Sequence, residues 1–254
     1  MSQDSISVMN CCSRISAMGG AGASTAEGCE AISYNPAKLN KKELTIGYQN
    51  LYTELGMNIS SISYASKVFG FQLSYLNISG KGEETDYDGN VLGDLSAGSY
   101  NAAASYKFDV SKSTSLGITG NFLFEQVKSH GSSSYLTFDL GAYNKISKVV
   151  NAGLVIKNLS FSDDQFIDAV NCGISYSGIK TLLLTTEVST LSLMKFGAEY
   201  SPFGETLKIR GGLDTNENLF TGLGVNVNDW MIGASYQINR ELPNTYSFSL
   251  SYKL

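Results

Sequence analysis

The stretch Tyr246-Ser-Phe-Ser-Leu-Ser-Tyr-Lys-Leu254 alternates aromatic or aliphatic residues with serine and lysine over consecutive positions. Successive side chains of a β-strand point to opposite faces. One face of this strand therefore suits hydrocarbon, and the other suits water. The same pattern recurs along residues 42–254 with no helical pattern between its copies. It predicts an all-β fold, a transmembrane β-barrel of antiparallel strands.

The composition agrees with a chain that sits in a membrane. Charged residues make up 16% of the sequence, against roughly 25% in ordinary soluble domains. Mean hydropathy is only -0.05, and no apolar run is long enough for a transmembrane helix. The net charge of -5 argues against nucleic acid as a partner. A soluble β-sandwich is the alternative, but it does not account for so few charged residues.

Fourteen strands can be predicted from the alternation, with the even number that bacterial single-chain barrels require. They are expected near 42–52, 55–65, 67–77, 96–108, 114–126, 133–144, 149–159, 166–177, 180–188, 191–201, 206–214, 218–227, 229–239 and 244–254. The longest gap, Ile78–Leu95, follows the third strand, and most gaps after even strands are short. Long outer loops and short inner turns are typical of the bacterial outer membrane, which is where we expect the protein.

The two faces of the predicted strands differ in chemistry. The face expected to touch lipid carries Phe69, Phe71, Leu73, Tyr75, Ala102, Ala104, Tyr106, Phe108, Leu116, Ile118, Phe122, Phe124, Leu136, Phe138, Leu140, Met194, Phe196, Ala198 and Tyr200. The lumen face is polar, and we select Lys208, Arg210, Glu199 and Asp139 as its candidate site residues. Two interpretations of these charges stay open. In the first, the charges pair with one another and with a plug. In the second, Lys208 and Arg210 bind the carboxylate or other anionic head group of a ligand.

Residues 1–40 differ from the rest, because they show no alternation and are rich in glycine and alanine. A barrel of fourteen strands leaves a hole unless something fills it. We therefore divide the chain into an N-terminal hatch over residues 1–40, which plugs the lumen, and a barrel over residues 41–254. The candidate hatch or gating residues are Gly19, Gly20, Gly22, Asn35 and Pro36.

No arrangement of residues predicts an enzyme, a cofactor or a metal site. The single histidine, His130, lies in a turn-like Ser/Gly stretch, and no nucleophile–base pair or phosphate loop occurs. Cysteine contributes one open question: Cys29 could form a disulfide with Cys11 or Cys12 in an oxidising compartment. Cys172 falls on the predicted lipid face.

The N-terminal residues resemble a known family. Met18-Gly-Gly-Ala-Gly-Ala-Ser24, followed by Ala31-Ile-Ser-Tyr-Asn-Pro-Ala-Lys-Leu39, is similar to the hatch of the FadL-like outer-membrane barrels, and in particular of their PorV/PorQ-like branch. Glu84-Thr-Asp-Tyr-Asp-Gly-Asn90, Phe138-Asp-Leu-Gly141 and Gly197-Ala-Glu-Tyr200 agree with that branch.

The resemblance implies two functions. FadL-type members pass fatty acids and other hydrophobic molecules passively through a plugged lumen, and a small hydrophobic ligand is the expectation we place first. PorV-like members serve type IX secretion, which makes a secretion or surface-attachment scaffold for an exported protein the alternative. Met1–Asn10 contains no apolar stretch typical of an export signal, so we expect the signal to have been removed from this chain.

Overall fold

The computed structural model describes residues 11–85, 91–127, 131–160, 169–191 and 193–254. Fourteen antiparallel strands form a closed barrel in which each strand pairs with its neighbours in sequence and β1 pairs with β14. The strands are β1 (Glu43–Leu51), β2 (Met57–Ala65), β3 (Phe69–Thr85), β4 (Val91–Asp109), β5 (Thr114–Val127), β6 (Gly131–Lys145), β7 (Val150–Leu159), β8 (Ala169–Ile179), β9 (Leu182–Ser189), β10 (Met194–Tyr200), β11 (Leu207–Asp214), β12 (Leu219–Val227), β13 (Trp230–Ile238) and β14 (Thr245–Lys253). The predicted fold is confirmed.

The hairpin of β3 and β4 is longer than the sequence predicts. The β2–β3 ladder ends at the pair Met57 and Ile78, but β3 and β4 continue pairing up to Thr85 and Val91. The prediction of a loop over Ile78–Leu95 is therefore wrong. A two-stranded ladder needs only backbone hydrogen bonds, so strands can continue through polar sequence where no apolar face is required.

The apolar side chains point outward along most strands. On β3, Leu73 is 61% exposed whereas its neighbour Gln72 is 4% exposed. This is the reverse of a soluble protein, in which large apolar side chains are mostly buried. The predicted lipid face is confirmed, and Cys172 lies on it as an exposed residue.

The described part of the N-terminal segment, residues 11–40, contains two short helices, α1 (Ser13–Ala17) and α2 (Glu30–Tyr34), and the 3-10 helix Pro36–Lys38. Among the described residues, no helix has the length and apolar content needed to cross a membrane. Asn35 begins the 3-10 helix, because its side chain accepts a hydrogen bond from the backbone N–H of Ala37, and proline suits the first helical position.

Residues 11–40 pack against the inward face of the barrel, where glycines allow close backbone approach. A Cβ atom on Gly153 would lie 1.9 Å from the carbonyl oxygen of Ala23. Inward glycines on ten strands face the segment in this way: Gly47, Gly70, Gly117, Gly141, Gly153, Gly173, Gly197, Gly212, Gly222 and Gly233. Met1–Asn10, residues 86–90 of the motif that begins at Glu84, and His130 lie outside the described residues.

Candidate functional site

Several buried charges lie at the interface between the N-terminal segment and the barrel wall. Arg14, on α1, donates a hydrogen bond from Nε to Glu199 Oε2 on β10 at 2.9 Å. Its Nη1 donates to Glu30 Oε2 at 3.0 Å and to the carbonyl oxygen of Thr25 at 3.1 Å. A single guanidinium thus joins three parts of the N-terminal segment, at Arg14, Thr25 and Glu30, to the wall.

Arg14 is held as a cation. Burial alone would lower the pKa of Arg14, but the carboxylates of Glu30 and Glu199 raise it above its ordinary value. Glu27 is also affected: burial raises its pKa, while Arg14 and Lys41 lower it more, so the net shift is downward. Glu27 therefore lies beside cations that favour its ionised form.

Glu199 accepts a second guanidinium from the wall itself. Arg210, on β11, donates from Nε to Glu199 Oε2 at 2.7 Å, and Lys208 Nζ lies 3.8 Å from Glu199 Oε1. The structure thus brings together three of the four polar lumen residues selected from the sequence. Nη2 of Arg210 has no hydrogen-bond partner among the described residues, and the guanidinium packs against Gly224.

Asp139, the fourth, belongs to a separate cluster on β6 and β7. Its Oδ2 accepts a hydrogen bond from Lys157 Nζ at 2.8 Å, and its Oδ1 accepts from the backbone N–H of Asn158 at 2.9 Å. Lys157 Nζ also donates to the carbonyl oxygen of Ser33 in the N-terminal segment. This cluster therefore fixes α2 to the wall, as Glu199 fixes α1.

Asn35 and Pro36 lie against β5 and β6. The side-chain amide of Asn35 donates to the carbonyl oxygens of Ala23 at 2.6 Å and of Ala142 at 3.1 Å. A Cβ on Gly141 would lie 2.2 Å from Asn35 Oδ1, and a Cβ on Gly117 would lie 2.4 Å from the carbonyl carbon of Pro36. Asn35 thus joins two parts of the N-terminal segment to β6.

The three selected glycines of the segment have distinct surroundings. Gly19 and Gly20 adopt positive φ angles of +72° and +76°, a region that favours glycine. Gly22 packs beneath the ring of Tyr34, where a Cβ would lie 2.4 Å from a ring carbon. Their gating role stays a prediction.

Part of the lumen is apolar, which the sequence did not lead us to predict. Buried residues on β1 to β5 form a cluster with Cys11, with Tyr52, Met57 and Tyr135 packed against it: Leu51, Ile59, Leu76, Ile78, Ala97 and Leu123. The signal was present, because Leu76 and Ile78 have the same strand parity as the inward residues Gln72 and Ser74. The polar residues at this parity had led us to expect a polar lumen face throughout.

The three cysteines of the N-terminal segment are buried free thiols. Burial raises the pKa of Cys11 to about 11 and that of Cys29 to about 12. Sγ of Cys29 donates to the carbonyl oxygens of Glu43 and Ser63. No disulfide joins these residues in the structure. Within residues 11–85, 91–127, 131–160, 169–191 and 193–254, no group of three His, Cys, Asp or Glu side chains could hold a metal.

Solved structures with the same fold include a hydrocarbon channel, a FadL homologue and a toluene transporter. The CymD monoaromatic hydrocarbon channel has a TM-score of 0.67 at 12% identity, covering 95% of this chain and 97% of its own. A Pseudomonas aeruginosa FadL homologue has a TM-score of 0.64 at 12% identity, over 95% and 98%. The Pseudomonas putida toluene transporter TodX has a TM-score of 0.64 at 12% identity, over 94% and 96%. At these identities the likeness shows the fold.

A search of curated proteins gives no match. The comparison with family models gives a match. Residues 31–252 match the model of the type IX secretion system membrane protein PorP/SprF. The narrower assignment to a PorV/PorQ-like branch stays a prediction. Since the match extends from α2 to the last strand, this outer-membrane barrel belongs to the PorP/SprF family of type IX secretion system membrane proteins.

Proposed function

We propose that the chain is a closed barrel that serves type IX secretion as an outer-membrane docking scaffold for an exported protein. The N-terminal segment carries this proposal. It is ion-paired to β10 through Arg14 and hydrogen-bonded to β6 through Asn35. A segment held at both places is better suited to close a lumen than to pass a solute through it.

The projecting β3–β4 hairpin supports a role outside the membrane. The β4–β5 ladder begins at the pair Ala97 and Val127. Within the described residues, β4 from Val91 to Ser96 therefore pairs with β3 alone. At about 3.3 Å per residue this stretch rises roughly 20 Å past the end of β5.

An unpaired strand edge is a template for strand addition by another chain. Residues 79–96 carry five acidic residues and one lysine. We therefore expect the partner to present an extended segment flanked by Lys or Arg. Two copies of this acidic hairpin would repel each other, which disfavours self-association through the same edge.

The experiment is co-purification of a known exported type IX substrate with the barrel from native outer membranes. One variant replaces residues 79–96 by an Asn-Gly turn, which suits a two-residue hairpin. A second variant keeps the hairpin length and replaces its five acidic residues by Gln or Asn. We expect the first to lose the substrate and the second to bind it more weakly. Heat-dependent mobility on gels checks that both barrels fold. Equal capture by both variants and by the parent chain contradicts the proposal.

A second candidate function is passage of small hydrophobic molecules, and the inward apolar cluster around Ile59 and Leu123 favours it. A hydrophobic ligand that passed this cluster would contact apolar side chains inside the lumen. Uptake of a labelled fatty acid or aromatic hydrocarbon into vesicles containing the barrel tests it. Leu123→Asn should reduce uptake if the cluster lies on the route, with Leu223→Asn on the outer face as the matched control. Uptake no faster than through protein-free vesicles contradicts this candidate.

A further inference from the structure

A cavity of about 270 Å³ lies at the end of the barrel opposite the β3–β4 hairpin tip, between the N-terminal segment and the wall. Its floor is the end of the 3-10 helix and Leu39, and its sides are the ends of β4 and β6 and the β4–β5 turn. The volume corresponds to about nine water molecules. That is enough for a small polar group rather than a single ion.

The lining is strongly basic. Four lysines and one aspartate contribute to it: Lys38, Lys107, Lys112, Lys145 and Asp109. Asp109 is engaged by Lys107, whose Nζ lies 3.2 Å from Asp109 Oδ1. In the described part of the chain, no carboxylate forms an ion pair with the other three lysines. The lining of the cavity therefore carries a net positive charge.

Lys38 is the central residue of this cavity. Its ammonium lies 4.1 Å from the centroid of the Tyr143 ring, a cation–π contact that orients the side chain without neutralising it. Burial lowers the pKa of Lys38 to about 8, although the carboxylates of Glu27 and Glu30 oppose this shift. An anion in the cavity would add to the negative charge that these carboxylates provide.

Hydrogen bonds hold the wall of the cavity in place. Ser115 Oγ donates to the carbonyl oxygen of Ala37 at 2.7 Å. In the β4–β5 turn, Ser111 Oγ accepts from the backbone N–H groups of Ser113 at 3.2 Å and Thr114 at 3.1 Å. These bonds fix the turn and the 3-10 helix, so the lysines project from supports that are already in place.

We propose that this cavity binds the phosphate of an anionic ester, with Lys38 from the N-terminal segment and Lys107 and Lys145 from the wall as its ligands. The shared chemistry is a phosphate carrying an organic substituent. A phospholipid head group and a soluble phosphate ester are the two sources. The exposed apolar side chains of Val110 and Ile146 lie in the adjoining turns. They place an apolar surface beside the opening of the cavity. The bound phosphate would join the N-terminal segment to β4 and β6.

The test compares the full chain in two settings. In nanodiscs, the unfolding temperature is measured in phosphatidylglycerol and in phosphatidylcholine. In neutral detergent, it is measured with and without glycerol 3-phosphate, and binding is measured by native mass spectrometry. The variants are Lys38→Met and Lys145→Met. The matched control is Lys180→Met, an exposed lysine in the β8–β9 turn at the same end of the barrel.

We expect the parent chain and Lys180→Met to bind the phosphate, and each cavity variant to bind about tenfold more weakly, as expected for loss of one charge-assisted hydrogen bond. A response confined to phosphatidylglycerol identifies the lipid as the source, and a response to glycerol 3-phosphate identifies a soluble ester. Lys145 is exposed, so its variant remains informative if Lys38→Met fails to fold. Equal binding by the parent, control and cavity variants, or binding by none, overturns the proposal.

Discussion

Arg14 and Glu199 are 185 residues apart in the chain and 2.9 Å apart in the structure, with Nε of the arginine donating to Oε2 of the glutamate. Arg210 donates to the same oxygen. A carboxylate shared by a guanidinium from the N-terminal segment and one from the wall makes the two parts of the chain depend on each other. Removing the carboxylate leaves Arg210 with no ion pair among the described residues and leaves Arg14 with Glu30 alone.

Glu199→Gln should therefore destabilise the protein by about 3–5 kcal/mol, the usual cost of breaking a buried ion pair from one side. The measurement is urea unfolding in detergent, followed by the fluorescence of Trp230, the one tryptophan in the sequence. Glu217→Gln is the matched control. It breaks the exposed pair of Glu217 and Arg240, which should cost about 0–1 kcal/mol. Similar losses in the two variants would contradict the assignment of Glu199 as a buried anchor.

Gly153→Ala should displace residues 22–24 from the wall, since its Cβ would lie 1.9 Å from the carbonyl oxygen of Ala23. The expected cost is about 1–3 kcal/mol, as for overpacking elsewhere. Protease sensitivity of the N-terminal segment and single-channel conductance should both rise. At Gly211 the nearest atom is 3.8 Å away, and Gly211→Ala should change stability by less than about 0.5 kcal/mol. A Gly153→Ala variant with unchanged conductance and a protease-resistant N-terminal segment would show that the segment does not rest on this wall.

The four cysteines should react differently with maleimides in the folded protein. Cys11, Cys12 and Cys29 are buried, and burial raises their pKa values, so little thiolate forms near neutral pH. Cys172 is exposed on the lipid face and should react with an apolar maleimide but not with a charged one. Unfolding should expose all four thiols. A fully oxidised pair among the first three, detected by intact mass, would contradict the structure.

Lys38 predicts a pH dependence of stability. Burial places its pKa at about 8 in the folded state, against 10.5 for the ordinary side chain. Between these values the unfolded chain binds the proton and the folded chain does not, so stability rises with pH. The gain in stability is complete above about pH 10.5 and is lost as the pH falls to about 8.

The measurement is the difference in unfolding free energy between the parent chain and Lys38→Met from pH 7 to pH 11. The parent chain should gain stability relative to the variant across this window, because the variant has no proton to bind at this position. Subtracting the variant removes the contribution of the other groups that titrate there. A constant difference would mean that the pKa of Lys38 is the same in the folded and the unfolded chain.

Much of the barrel could be predicted from alternation alone. Gln72 and Leu73 differ in exposure as their parity requires, because a strand has only two faces and a membrane barrel gives them opposite surroundings. The upper part of β3 and β4 could not be predicted, because polar strands and polar loops have the same composition. The buried apolar cluster that contains Leu76 was not predicted for a similar reason: parity gives the face, but not what that face contacts.

The sequence by itself determined the number of strands, the lipid face and the polar character of Glu199, Arg210 and Asp139, because these properties repeat locally along the chain. Only the tertiary structure decided which charges meet. It separated Asp139 from Glu199, paired Arg14 with a strand far along the chain, and brought Lys38 beside Lys107 and Lys145. Such contacts depend on the closure of the barrel and on the path of residues 11–40 through it. No local pattern of side chains predicts the closure of the barrel or the path of this segment.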